Sequence, residues 1–73
     1  MVEFINQANI ITARVDGVEY NFTKSNVRLT KSGNYVRVDD YSNLVVEVRF
    51  NDVTAPTVNS STQLLTSLRG WLQ

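Results

Sequence analysis

The sequence predicts an α+β domain: an antiparallel β-meander of four or five strands with one C-terminal helix packed on one face. Three observations carry this reading. In residues 44–50, Leu44, Val46, Val48 and Phe50 alternate with Val45, Glu47 and Arg49. That period of two puts four large apolar side chains on one side of a strand. Asp16-Gly17 stands between two further alternating segments. Near the C-terminus, Leu64, Leu65, Leu68, Trp71 and Leu72 share one helical stripe. The 44–50 segment is expected to be the best-ordered strand, with the helix across its apolar face.

In chain order, residues 1–5 form a short apolar segment interrupted by Glu3, suited to an edge strand or a docking arm. Residues 10–22 read as a hairpin. Asp16 and Gly17 suit a type I′ turn, whose two central residues need positive φ. Folding there sets Val15 opposite Val18, Arg14 opposite Glu19, Ala13 opposite Tyr20 and Ile11 opposite Phe22. One side then collects Ile11, Ala13, Val15, Val18, Tyr20 and Phe22, so turn chemistry and alternation agree.

A second hairpin is expected from residues 27–30 and 35–38 around Lys31-Ser32-Gly33-Asn34. With Thr30 opposite Tyr35, Arg28 faces Arg37. Like charges directly opposite are unfavourable by roughly 0.2–1 kcal/mol, so either a carboxylate or an anionic partner is needed nearby. Residues 39–43 read as a turn-rich loop that sets Val38 beside Leu44 and Val36 beside Val46. In a plain meander the 44–50 strand comes last and leaves one edge free. An unprotected edge invites aggregation. The apolar segment Val2, Phe4 and Ile5, from the same chain or from another subunit, is the expected cover, with the intersubunit form preferred.

Pro56, the only proline, restricts Ala55 to extended backbone. Ser60 and Gln63 then form a capping-box pattern that starts a helix of about thirteen residues. A helix of that length is marginal alone in water and must dock.

Composition narrows the function. Seventy-three residues, 42% of them hydrophobic and 19% charged, make one globular domain spanning 1–73. The chain has no cysteine and no histidine. Disulfides, thiolate metal sites and the commonest general base are thereby excluded. A core this small favours association. The N-terminal residues resemble neither a signal peptide nor a membrane anchor, so the protein is expected to be made in the cytoplasm, with no membrane partner.

Charge is unevenly placed. Residues 20–38 carry Lys24, Arg28, Lys31 and Arg37 with no acid, a local +4, while the whole chain is neutral. Arg28, Arg37, Tyr35, Lys24 and Lys31 are therefore the candidate interaction face, and Val2, Phe4 and Ile5 the candidate subunit contact. A nucleic-acid partner would use the first group, with Tyr35 stacking on a base. A neutral chain with a pI near 6.1 argues for a neighbouring subunit instead. Asp39 and Asp40, with Asn43 or Asp52, could approach a hard cation but lack calcium-loop spacing, and Asx residues favour turns in any case. No histidine activates a serine or threonine, and three glycines form no phosphate loop. The expectation is a non-enzyme with no cofactor, no metal and no small-molecule substrate. The Trp71 and leucine stripe reads first as core and second as a partner face.

The tail from Phe50 to Val58, followed by the leucine-rich segment, resembles small bacteriophage and prophage proteins. In these a β-meander ends in an Asp-Val-Thr-x-Pro-x-Val connector and a closing helix. The resemblance covers about a third of the chain and implies a virion component or accessory factor, oligomeric and not an enzyme. With that resemblance, the reading favoured is a non-enzymatic, self-associating structural or assembly module, a small phage-type virion or accessory protein, whose partner is a copy of itself or another virion or host protein. The rivals are a small nucleic-acid-binding domain and a small inhibitor of a host protein.

Overall fold

A computed structural model describes residues 1–54 and 58–73. Among the described residues, six strands form two antiparallel three-stranded meanders, and one α-helix follows them. The α+β class is as expected. The strands number six rather than four or five, and they divide between two sheets. The expected restriction of Ala55 by Pro56 lies outside the described residues.

The first sheet is β1 (Val2–Asn6), β2 (Ile10–Val15) and β3 (Val18–Thr23), in that order. Asp16 and Gly17 have φ of 50° and 87°. Two consecutive positive φ values are what a type I′ turn requires. The expected register follows in full, from Val15 opposite Val18 to Ile11 opposite Phe22.

The second sheet is β4 (Arg28–Ser32), β5 (Tyr35–Asp39) and β6 (Val45–Arg49). Here register departs from expectation by two residues. Ser32 pairs with Tyr35 around a two-residue turn, Gly33-Asn34, in which Gly33 alone has positive φ, at 58°. That is the type II′ pattern. A shift of two preserves sides, so Leu29, Val36 and Val38 still point inward and are buried. It changes cross-strand neighbours: Arg28 faces Asp39, not Arg37, and Arg37 faces Thr30. Asp39 is accordingly the last residue of β5 rather than part of a loop. On the next strand Val38 meets Val46 and Val36 meets Val48.

One core joins both sheets and the helix. Val2, Ala13 and Phe22 come from the first sheet, Val36, Val38, Val46 and Val48 from the second, and Leu64, Leu65 and Leu68 from the helix. The helix α1 (Ser61–Gly70) is shorter than the expected thirteen residues. Beyond Gly70 the amides of Leu72 and Gln73 reach back three residues, tightening the final turn. Ser60 caps it as expected, its Oγ accepting from the Gln63 amide at 3.1 Å. The Gln63 side chain accepts from the Asn59 amide at 2.8 Å, one residue before the position a capping box uses.

Two expectations about packing are corrected. The helix lies against β4 and β5, not across β6. Ser61 Oγ donates to the Gly33 carbonyl at 2.6 Å and pins the helix start to the β4–β5 turn. Within its own chain the N-terminal segment does not pair with the β6 edge. It pairs with β2, placing Val2 opposite Val15 and Phe4 opposite Ala13 on the core side, and Glu3 opposite Arg14 outside. Its link to the chain beyond β6 is a parallel bridge from Val2 to Val53 and a 2.8 Å bond from the Thr54 amide to the Val2 carbonyl.

Candidate interaction face

The outer side of the second sheet is a grid of side chains set by register. Arg28, Asp39 and Val45 form one row, Thr30, Arg37 and Glu47 the next, and Ser32, Tyr35 and Arg49 the third. All point away from Val36, Val38, Val46 and Val48, so this side contributes nothing to the core.

Asp39 organises the first row. Its residue exposure is only 2%, unusual for a carboxylate on an outward side. Arg28 Nε and Nη2 each donate to Asp39 Oδ2 at 3.2 Å, and Arg37 Nε donates to the same oxygen at 3.1 Å. Oδ1 accepts from the Tyr41 amide at 3.1 Å. Burial pushes this carboxyl up. The Tyr41 amide and the Arg28 and Arg37 guanidiniums together outweigh burial and hold it below the usual carboxylate range. The carboxylate expected near the two arginines is Asp39, which stands opposite Arg28 in the place expected for Arg37.

Asp39 lies buried beneath two arginine side chains, each 46% exposed. Arg37 engages it through Nε only, leaving its terminal nitrogens without a hydrogen bond among the described residues. Tyr41 completes the arrangement. Its backbone is left-handed, with φ of 68°, an uncommon state for a bulky residue. This holds its ring 4.9 Å from the Arg28 guanidinium carbon. Arg49 is restrained in the same manner. Its Nε donates to the Tyr35 hydroxyl at 2.9 Å, and its guanidinium lies 5.5 Å from that ring's centre. Tyr41 and Val45 stay largely exposed.

Asp40 serves the loop behind. Its Oδ1 accepts from the Ser42 amide, the Ser42 hydroxyl and the Leu44 amide, each at 3.1 Å. Its carboxyl is lowered chiefly by the Ser42 amide. Both carboxylates are thus taken up by protein donors, the ordinary role of Asx residues in turns. Among the described residues no cluster of three or more acidic side chains is placed to hold a metal ion.

Of the sequence-predicted face, Arg28, Arg37 and Tyr35 come together here. Lys24 does not: it lies in a 3-10 turn, Lys24–Asn26, and its Nζ donates to Asn6 Oδ1 at 2.6 Å at the end of β1. Lys31 falls on the Leu29 side of its strand and is exposed. Of the sequence-predicted subunit contact, Val2 is buried within its own chain and Phe4 packs on the core, while Ile5 faces outward beside Thr12. Leu64, Leu65 and Leu68 are core, and Trp71 is half-buried at the rim of a cavity of about 290 Å³ shared with Phe4 and Val58. Sequence reasoning missed Asp39, Tyr41, Val45 and Arg49 as members of the face. For Asp39 a signal existed: the expected register sets Arg28 against Arg37 and requires a carboxylate nearby, and the observed register supplies it opposite Arg28. Among the described residues no helix is long and apolar enough to cross a membrane. No family model, curated protein or solved structure matches this chain.

Proposed function

We propose that this chain is a non-enzymatic structural or assembly module that associates with copies of itself, in the manner of small bacteriophage virion components or accessory proteins. The observation that carries the reading is the ordered surface around Asp39. Arginine and tyrosine dominate the energetics of protein interfaces. Here Arg28 and Arg37 are held by one buried carboxylate, and Tyr41 and Tyr35 stand beside Arg28 and Arg49. Side chains already fixed lose less entropy on binding. A small core without disulfides also stands to gain from association. The test is static light scattering across a concentration series. Mass rising above 8.3 kDa is expected; a constant monomer mass up to millimolar concentration refutes self-association.

A second reading, nucleic-acid binding, draws on the same Arg–Tyr pairs, which could stack on exposed bases. It is weakened by Asp39 and Glu47 on the same side and by the separation of Lys24 and Lys31 from it. Retention on single-stranded DNA that falls steeply with salt would favour it over self-association.

A further inference from the structure

We infer that copies of this chain join head to tail, the outer side of the β1–β3 sheet of one copy meeting the outer side of the β4–β6 sheet of the next. This rests on the self-association reading and specifies its geometry.

The two outer sides carry ion triads of inverse composition. Across β1–β2–β3, Glu3, Arg14 and Glu19 form one row. Arg14 Nη1 reaches Glu3 Oε1 at 3.1 Å and Nη2 reaches Glu19 Oε2 at 3.3 Å. That is one cation between two carboxylates. On the second sheet, Asp39 is one carboxylate between two cations, Arg28 and Arg37. The remaining charges on that second side are Arg49 and Glu47, which cancel, so it carries a net +1. The other outward residues of the first sheet, among them Ile5, Ile10 and Asn21, are uncharged, so that side carries a net −1.

Both inner sides are committed to the same core, so the outer sides look away from it and are available to separate neighbours. Two copies meeting by the same side would set like against like, which costs affinity. A head-to-tail contact sets the surplus cation beside the surplus anion. Within each triad the ions are already paired, which limits the cost of removing them from water. Apolar surface is present on both sides of the contact: Val45 and Tyr41 are exposed on one, and Ile5 and Ile10 are half-buried on the other. A contact of this type leaves a free side at each end, so it propagates into a ring or an open filament.

Two charge-reversed proteins test the inference: Glu3→Lys with Glu19→Lys, and Arg37→Glu with Arg49→Glu. The second pair leaves Arg28 on Asp39. Circular dichroism checks that each folds; should either not, Glu19→Lys and Arg37→Glu alone replace them. Each protein by itself is expected to associate at least tenfold more weakly than the parent. An equimolar mixture is expected to regain the parent mass, because the reversed side of one now matches the reversed side of the other. Parent-like mass in either variant alone, or a mixture that stays monomeric, overturns the head-to-tail geometry while a self-associating parent keeps the broader reading. A parent that is itself monomeric fails the broader reading first.

Discussion

Arg28 and Asp39 stand directly opposite each other on β4 and β5, and two nitrogens of the arginine converge on a single oxygen of the carboxylate at 3.2 Å. The same oxygen holds Arg37. One buried carboxylate thus neutralises half of a repulsive pair and orders both members of it. Removing its charge returns the arginines to mutual repulsion and leaves a buried polar group short of partners.

Asp39→Asn is therefore expected to lower the melting temperature, and by more than Arg37→Gln, which leaves the Arg28–Asp39 pair in place. The pH dependence has a definite sign. Asp39 and Asp40 have folded-state pKa values below their ordinary ones. Their contribution to stability is present above an unfolded pKa of about 3.9 and is lost as pH falls through the lower folded values. With no histidine in the chain, urea midpoints should be nearly flat from about pH 5 to 7 and fall below about pH 4. Asp39→Asn should show a shallower acid-side fall than the parent. An equal fall in both would mean that Asp39 is not held in its ionised form by the fold.

Leu68 tests the helix packing. It is 1% exposed and belongs to the core that joins α1 to both sheets. Leu68→Ala should cost about 2–5 kcal/mol, the range for buried leucines. On a domain of this size that is enough to unfold a large fraction of molecules. Thermal melts read at far-UV wavelengths measure it, and an unchanged midpoint would show that the helix does not dock on β4 and β5.

How much of this was legible in the chain differs between the hairpins. In residues 10–22 the turn residues and the alternation specify the same register, and Asp16 and Gly17 adopt the two positive φ values that the turn type demands. In the second hairpin only Gly33 carries a comparable signal. A four-residue loop and a two-residue turn keep the same residues inside, so alternation cannot choose between them. Gly33-Asn34 suits the two-residue type II′ turn, and that shorter turn also brings Asp39 opposite Arg28. The division into two sheets was not legible, because periodicity identifies an apolar side without naming what covers it. Of the face, Arg28 and Arg37 follow from local charge and Tyr35 from its aromatic ring beside them, whereas Tyr41 is placed by a left-handed backbone that no residue type there announces.

The pin between helix and turn is a smaller, separable effect. Ser61 Oγ donates to the Gly33 carbonyl at 2.6 Å, and Ser61 is buried. Ser61→Ala should destabilise by about 1 kcal/mol, the net worth of such a bond. Ser60→Ala removes the N-cap and should cost a similar amount, about 0.5–2 kcal/mol. The two differ in amide exchange. Loss of the cap should speed exchange in the first helical turn, whereas loss of the pin should also loosen the β4–β5 turn.

Tyr41 separates stability from association. Its φ of 68° is an unfavourable backbone state for a tyrosine, worth roughly 1–2 kcal/mol. Its contact with Arg28, on an exposed ring, returns about 0.5–1 kcal/mol. Asparagine enters the left-handed region readily and keeps the amide that donates to Asp39. Tyr41→Asn should therefore leave the melting temperature unchanged or slightly raised. Strain of this kind persists where a function uses the residue it positions. If the Asp39-centred face is a contact surface, the same substitution removes an exposed aromatic anchor and should weaken self-association by about tenfold, near 1.4 kcal/mol. Thermal melts and light scattering on one preparation measure both. A variant that is more stable yet associates as the parent does would place the contact elsewhere on the molecule. One that loses stability and association together would show that Tyr41 supports the loop rather than the contact.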